Sequence, residues 1–391
     1  GSEIERCLAH ADPRAILFCT GVSPDAQAHG EARGAKARPT GFGRIAVAAR
    51  PSAEVDPSLL EEPAVAAILF TTGSTGTPKL SLLTAANLIA SAEATAQRLG
   101  GHGQWLLALP PHHIAGLQVL LRSIAAGTTP VALDPAGVTP FALVEATAGM
   151  HAERRYTSLV PTLLARLVDD PLGLEALRRF DAILVGGAAT PGALLDRARS
   201  EGVRVVTTYG MSETGGGCVY NGQPLQGVAV RTDAAGALEI GGPVVAHGYL
   251  GADTGAFRSE GGQRWFRTGD LGHMDDQGFV YITGRQSDMF ISGGSNVYPR
   301  EIEEKILTHP AINEVAVLGV PDPLWGEIGW AVCVANTPVA EEDLAAFLDG
   351  KLSRYKMPKR FLFWEELPKS AYGKITKKMI RDELEARGMI A

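Results

Sequence analysis

The sequence predicts an α/β protein of more than one domain, and three observations carry that expectation. Short apolar runs alternate with helix-patterned segments from about residue 60 to 250; glycine, aspartate and short alternating runs dominate from about 225 to 284; a compact βαβ-like tail follows Arg285. Strand–helix alternation is the pattern of a sheet covered by helices, with ligand loops at the strand ends. At 391 residues the chain can build two or more domains with their own cores.

Each element follows from local pattern. Ala64–Phe70 is a continuous apolar run, the mark of a buried strand. Leu106–Leu109 reads as a strand ending at Pro110-Pro111, and Gly116–Ala126 as a helix with Leu117, Leu120, Leu121 and Ile124 at helical spacing. Tyr156–Val160 is a strand, after which Pro161 opens a helix over Thr162–Val168. Asp181–Val185 ends at Gly186-Gly187, and Val203–Thr208 ends at Tyr209-Gly210. In the tail, Glu301–Leu307, Glu341–Leu352 and Lys377–Ala386 read as helices and Glu314–Val320 as a strand; residues 21–60 carry the least pattern.

Bulk properties exclude some partners. A net charge of -7 with 20% charged residues gives no reason to expect nucleic acid or an anionic membrane surface. Cys7, Cys19, Cys218 and Cys333 are far apart and form no CxxC pair, which points to a reducing, cytoplasmic setting without structural zinc. No apolar run approaches the length of a membrane span and no secretory leader is read.

Six segments carry chemistry. Thr71-Thr72-Gly73-Ser74-Thr75-Gly76-Thr77-Pro78-Lys79 follows the first strand. Bare glycine backbone, hydroxyls and one lysine suit an anion such as phosphate, although Lys79 does not follow a glycine as a P-loop requires. A polar turn is the plainer alternative. Tyr209-Gly210-Met211-Ser212-Glu213-Thr214 and three further glycines form a second polar segment after a strand. A carboxylate such as Glu213 beside a phosphate calls for a hard cation between them, and Mg²⁺ with oxygen ligands fits; a surface glutamate in a turn would look the same. Gly186-Gly187-Ala188 could let a flat base lie on bare backbone, or be a turn. Asp270, in Arg267-Thr268-Gly269-Asp270, could accept hydrogen bonds from a ribose diol or sit in a plain turn. Gly284-Arg285 through Asp288 falls where a hinge between domains, or a simple linker, is expected. Lys374, in Gly373-Lys374, would alone read as a surface charge.

The order and spacing of these segments resemble the acyl-adenylate-forming superfamily of acyl- and aryl-CoA synthetases, luciferases and adenylation domains, over roughly residues 60–391. The resemblance implies an ATP- and acid-binding N-terminal domain (1–284, with a β-rich part at about 225–284), a hinge at 285–288 and a mobile α+β C-terminal domain (289–391). It implies ATP, Mg²⁺ and coenzyme A as cofactor and cosubstrates, and a small carboxylic acid as substrate. Thr71, Thr72, Gly73, Ser74, Thr75, Gly76 and Lys79 would form the phosphate loop. Gly186, Gly187 and Ala188 would line adenine, with Tyr209 stacking near it. Glu213 would bind the metal and Thr214 touch the α-phosphate; Asp270 would hold the ribose, Arg285 stay near it, and Lys374 be the adenylation lysine. His113 matches an aromatic gate at the acid pocket, with Gln118, Ser158, Thr208, Gly210, Ser212 and Gly217 as walls. Arg122 is one candidate cation for a second carboxylate, but its helix position suggests that it faces solvent.

The stretch before the phosphate loop is shorter than the superfamily norm. With Leu109–Gly127, Gly186–Leu194 and Thr208–Tyr220 it resembles the short o-succinylbenzoate–CoA ligases of menaquinone biosynthesis, while Ser287–Leu318 is similar to fatty- and aryl-acid CoA ligases more generally. The expected activity is an acid–CoA ligase acting through an acyl-AMP. A ligase for another aryl or medium-chain acid, an adenylation enzyme loading a carrier protein, and an inactive AMP sensor are the alternatives. A homodimer is left open.

Overall fold

The computed structural model describes residues 65–72, 78–111, 113–134, 137–250, 254–369 and 375–390. Gly73, Ser74, Thr75, Gly76 and Lys374 lie outside the described residues, as do Cys7, Cys19 and residues 21–60. The chain divides into two compact units. The first comprises its described residues up to Gly187 together with Ala198–Val230 and Glu239–Arg267; the second comprises Ala188–Arg197, Arg231–Leu238 and the residues from Thr268 onward.

β1 (Val65–Thr72) turns back into β2 (Pro78–Thr84), pairing Thr71 with Lys79 and Thr72 with Pro78. Thr71, Thr72, Pro78 and Lys79, at the two ends of the expected phosphate loop, are therefore paired strand residues, and Lys79 stands on β2. α1 (Ala85–Arg98) starts at a capping box: Thr84 Oγ1 accepts from the Asn87 N–H and Asn87 Oδ1 accepts from the Thr84 N–H, both at 3.1 Å. Two donors that a helix start leaves orphaned are thus satisfied.

β3 (Gln104–Leu107), α2 (Ile114–Ala125), β4 (Val131–Ala132), α3 (Pro140–Ala148), β5 (Arg155–Leu159), α4 (Pro161–Val168), α5 (Pro171–Leu177), β6 (Ala182–Val185), α6 (Gly192–Ser200) and β7 (Val205–Met211) realise the predicted alternation. Proline stands at the first turn of α3, α4 and α5, where its missing N–H costs no helical bond. A short 3₁₀ turn at Ser212–Thr214 leads into β8 (Gly216–Tyr220) and β9 (Gln223–Pro224). The sheet order is β4-β3-β5-β6-β7-β8-β9, parallel from β4 to β7 and antiparallel from there. All four residues of β6 are buried, as expected for a parallel strand covered on both faces.

β10 (Ala229–Thr232), β11 (Ala237–Gly241), β12 (Gly248–Tyr249), β13 (Phe257–Glu260), β14 (Gln263–Met274) and β15 (Val280–Arg285) make up the predicted β-rich stretch. β12 joins β2 as the third strand of the hairpin sheet, with Tyr249 opposite Ser81.

In the second unit, β16 (Phe290–Ser292), β17 (Ser295–Val297), α7 (Pro299–Ile306), β18 (Ile312–Asp322), β19 (Gly326–Ala335), α8 (Glu341–Leu348), β20 (Arg360–Phe363) and α9 (Lys377–Ala386) follow. Period-2 alternation splits β18 between two cores. Val315 and Val317 pack with Ile302, Ile306, Leu344 and Leu348; Ala316 and Leu318 pack with Leu367, Ile380 and Leu384. One strand thereby anchors helices on both faces.

Gly116, in the first turn of α2, is required by close approach: a Cβ there would overlap the Pro110 carbonyl oxygen and lie 2.8 Å from that of Leu109. Backbone cannot yield as a side chain can. Gly116→Ala should cost about 1–3 kcal/mol as an overpacking change, read as a lower midpoint in urea unfolding.

Candidate active site

The segment predicted as a loop at Tyr209–Gly217 is a tight hairpin. β7 continues through Met211, pairing Tyr209 with Val219, Gly210 with Gly217 and Met211 with Gly216. A Cβ on Gly210 would overlap the Gly216 carbonyl oxygen, and Gly215 takes φ 60° at the end of the 3₁₀ turn. The glycines are therefore what allow two strands to close around Ser212–Thr214. Thr214 is fully buried; its hydroxyl accepts from the Met211 N–H at 2.9 Å and donates to the Gly216 oxygen at 2.7 Å. That hydroxyl fixes the turn carrying Glu213.

Glu213 is only 6% exposed. Its Oε1 accepts a hydrogen bond from the Tyr249 hydroxyl at 2.7 Å, and its carbonyl accepts the Ala246 N–H at 2.9 Å. Tyr249 lies beside β2, and the Lys79 ammonium stands 5.0 Å from the centre of its ring. The structure thus brings together the carboxylate and the lysine that the sequence placed far apart. Tyr249 was not among the predicted residues. A two-residue strand has no periodicity to reveal it; only the β2–β12 pairing shows where it goes.

α2 ties the same hairpin from behind. Gln118 is buried and donates to the carbonyls of Gly215 at 2.7 Å and Leu88 at 3.2 Å. One turn on, Arg122 is 4% exposed, which corrects the expectation that it faces solvent. Its Nη2 reaches Thr95 Oγ1 at 3.1 Å and the Tyr220 hydroxyl at 3.2 Å, and its guanidinium stacks 4.9 Å from the centre of Trp105. Helical spacing identifies a face but not what covers it; here α1 and β8 do. Burial pulls the Arg122 pKa below its usual range, offset in part by Tyr220.

The strand tips supply a second group. A Cβ on Gly186 would overlap Thr208 Oγ1, and one on Gly217 would lie 3.3 Å from Thr208 Cβ. Gly186, just past β6, Thr208, in the middle of β7, and Gly217, near the start of β8, are therefore neighbours. Gly187 beside them has φ 81°. Ser158 is buried on β5, and His113 is the half-buried N-cap residue of α2 without a side-chain capping bond. Cys218, fully buried on β8, has its thiol pushed up to about 12 by desolvation.

In the second unit, Asp270 and Arg285 pair across β14 and β15, and Arg285 Nε donates to Asp270 Oδ1 at 2.7 Å. Asp270 is 4% exposed, whereas the Arg285 side chain is 41% exposed. The Asp270 N–H donates to Thr268 Oγ1 at 3.0 Å. Asp270 is thus a strand residue, not part of a turn. Asp288 sits in a 3₁₀ turn and lies 3.6 Å from Lys377 Nζ, whose closer partner is Glu303 at 2.7 Å. Ala188 belongs to this unit and Tyr209 to the first.

Among the described residues no three His, Cys, Asp or Glu side chains converge as a metal cage. A single buried carboxylate does suit Mg²⁺, which usually takes one or two carboxylates and completes its shell with water and substrate phosphates. No helix among the described residues is long and apolar enough to cross a membrane.

Family comparison agrees with this architecture. The family model for AMP-binding enzymes matches residues 1–250, and that for the AMP-binding enzyme C-terminal domain matches residues 301–374. The chain belongs to the AMP-binding enzyme family, and its mixed α/β fold is the acyl-adenylate-forming fold. It is 43% identical over 317 residues to a probable 2-succinylbenzoate–CoA ligase of Mycobacterium tuberculosis, covering 80% of this chain and 82% of that one. The o-succinylbenzoate CoA synthetase of Bacillus subtilis, in complex with its acyl-adenylate, superposes with a TM-score of 0.72 at 32% identity, over 82% of this chain and 69% of that one. The same synthetase with ATP and magnesium gives 0.71 at 30% identity, over 82% and 70%.

Tyr220→Phe should destabilise the first unit by about 1–3 kcal/mol, because it removes a hydroxyl that Arg122 and Thr95 both use in the interior. Urea unfolding followed by tryptophan fluorescence measures this; Trp105 lies in the affected cluster.

Proposed function

We propose that this chain is an ATP-dependent, AMP-forming acid–CoA ligase whose acid is o-succinylbenzoate. The observation that carries the reading is the convergence of the Glu213 carboxylate, through Tyr249, on the hairpin lysine Lys79. A fixed negative and a fixed positive charge at one place match a polyphosphate with its cation. The named relatives supply the acid.

In the first half-reaction the substrate carboxylate attacks the α-phosphorus of ATP. An acyl–O–P bond forms, the bond to the β-phosphate oxygen breaks, and pyrophosphate leaves. Two anions approach, so the site must supply positive charge and exclude water. Residues 71–79, with Lys79, hold the β- and γ-phosphates. Glu213 would hold Mg²⁺, which when bound would offset phosphate charge. Thr214 stands at the α-phosphate; Gly186, Gly187 and Ala188 flank adenine, with Tyr209 against it. Asp270 accepts from the ribose hydroxyls, and its pairing with Arg285 keeps it aimed. Lys374 neutralises the bridging oxygens. His113 closes an acid pocket with Gln118, Ser158, Thr208, Gly210, Ser212 and Gly217 as its walls.

In the second half-reaction the coenzyme A thiol attacks the acyl carbonyl and AMP leaves. Residues 285–288 act as the hinge and 289–391 as the domain that changes position, taking Lys374 away once the adenylate has formed.

A pyrophosphate-release assay with o-succinylbenzoate, ATP, Mg²⁺ and coenzyme A, run against a panel of aryl and medium-chain acids, tests the reading. The preferred acid should exceed the others by at least about tenfold in kcat/KM, the scale of a well-matched pocket. Preference for another acid removes o-succinylbenzoate but keeps the class; background exchange with every acid removes both. Lys374→Ala should abolish acyl-AMP formation yet largely spare thioester formation from preformed acyl-AMP. Equal loss in both would count against the hinge. Asp270→Ala should raise the KM for ATP about tenfold or more, the scale of one charge-assisted hydrogen bond.

A further inference from the structure

Lys79 and Glu213 pose an electrostatic problem. An ammonium and a buried carboxylate within reach of one another tend to pair, and a paired lysine and carboxylate would each be withdrawn from the phosphates. The side chain of Tyr249 contacts both. Its hydroxyl donates to Glu213 Oε1 at 2.7 Å, and its ring faces the Lys79 ammonium at 5.0 Å. A phenol donates a hydrogen bond without cancelling the carboxylate charge. An aromatic face holds an ammonium by only about 0.5–2 kcal/mol, weakly enough to release it.

The ring is itself held in place. β12 pairs with β2 at Tyr249 and Ser81, and Phe257 packs edge-on against the Tyr249 ring at 5.1 Å. Phe257 in turn lies against Phe266, its partner across β13 and β14, at 4.8 Å. Tyr249 is therefore built into two strand pairings.

We propose that Tyr249 is a positioning residue: it orients Glu213 as a ligand and keeps Lys79 from pairing with it, so that both groups act on the nucleotide's phosphates and their cation. The inference rests on the reading of Glu213 and Lys79 as the cation- and phosphate-binding groups.

Two substitutions separate the two roles. Tyr249→Phe keeps the ring and removes the hydroxyl. Tyr249→Leu removes both. Mn²⁺ binding to the protein–ATP complex without acid, followed by electron paramagnetic resonance, reads the first role. ATP binding in EDTA, followed by calorimetry, reads the second. Tyr249→Phe should weaken Mn²⁺ about tenfold, the range for a residue supporting a metal ligand, while leaving ATP affinity in EDTA within about twofold; excess Mg²⁺ should restore its rate. Tyr249→Leu should also weaken ATP in EDTA about fivefold or more, and adding Glu213→Gln to Tyr249→Leu should recover that loss, because the competing carboxylate charge is gone. Wild-type Mn²⁺ affinity in Tyr249→Phe overturns the orienting role. No recovery in the double variant overturns the separating role, since a general packing defect would not be repaired by Glu213→Gln. Wild-type ATP–pyrophosphate exchange with o-succinylbenzoate is run alongside; its absence would fault the proposed substrate, while the Mn²⁺ and ATP binding results still judge Tyr249.

Discussion

A buried carboxylate is the constraint around which the first unit is organised. Glu213 is nearly inaccessible, and an ion removed from water is costly unless its surroundings replace the lost hydration. The surroundings here are specific. The Thr214 hydroxyl locks the turn, Gln118 holds the carbonyl two residues on, and Tyr249 donates to the carboxylate itself. These contacts come from α2, β8 and β12, which are distant in sequence. The seven-stranded sheet brings β7 and β8 together, and the hairpin sheet brings β12 to Lys79. The site is thus a product of two sheets meeting at one turn.

The second unit uses the same economy of groups. Asp270 is buried beside Arg285, and adjacent strands set their register. Register places both side chains on one face without help from a loop, which gives a firmer geometry than a turn would. The double-faced strand β18 serves stability rather than chemistry. By contributing alternate residues to two cores it fixes α7 and α8 on one side and α9 on the other. Lys377, at the start of α9, binds Glu303 on α7 across these cores.

Much of the fold could be read from pattern. Continuous apolar runs marked β1 and β6, and the prediction for α9 matches its observed span of Lys377–Ala386. The boundaries moved where polar residues lay in strands. Thr71 and Lys79 look like loop residues because hydroxyls and charge suggest solvent, yet they pair across a hairpin. Tyr209-Gly210-Met211 looks like a break because glycine punctuates chains, yet Gly210 is needed for two strands to touch. Arg122 shows the limit most clearly. Spacing alone says which helical face it occupies, but Trp105, Thr95 and Tyr220 decide that this face is covered.

The sequence by itself determined the class of fold, the order of the chemical segments and the membership of the AMP-binding enzyme family, because these depend on residue type and spacing along one dimension. Tertiary structure decided which of those residues meet. Glu213 reaches Lys79 only through Tyr249, and Asp270 faces Arg285 only through strand register. Such contacts depend on pairings between strands far apart in the chain, and no local pattern of hydrophobicity or charge encodes a distance of that kind.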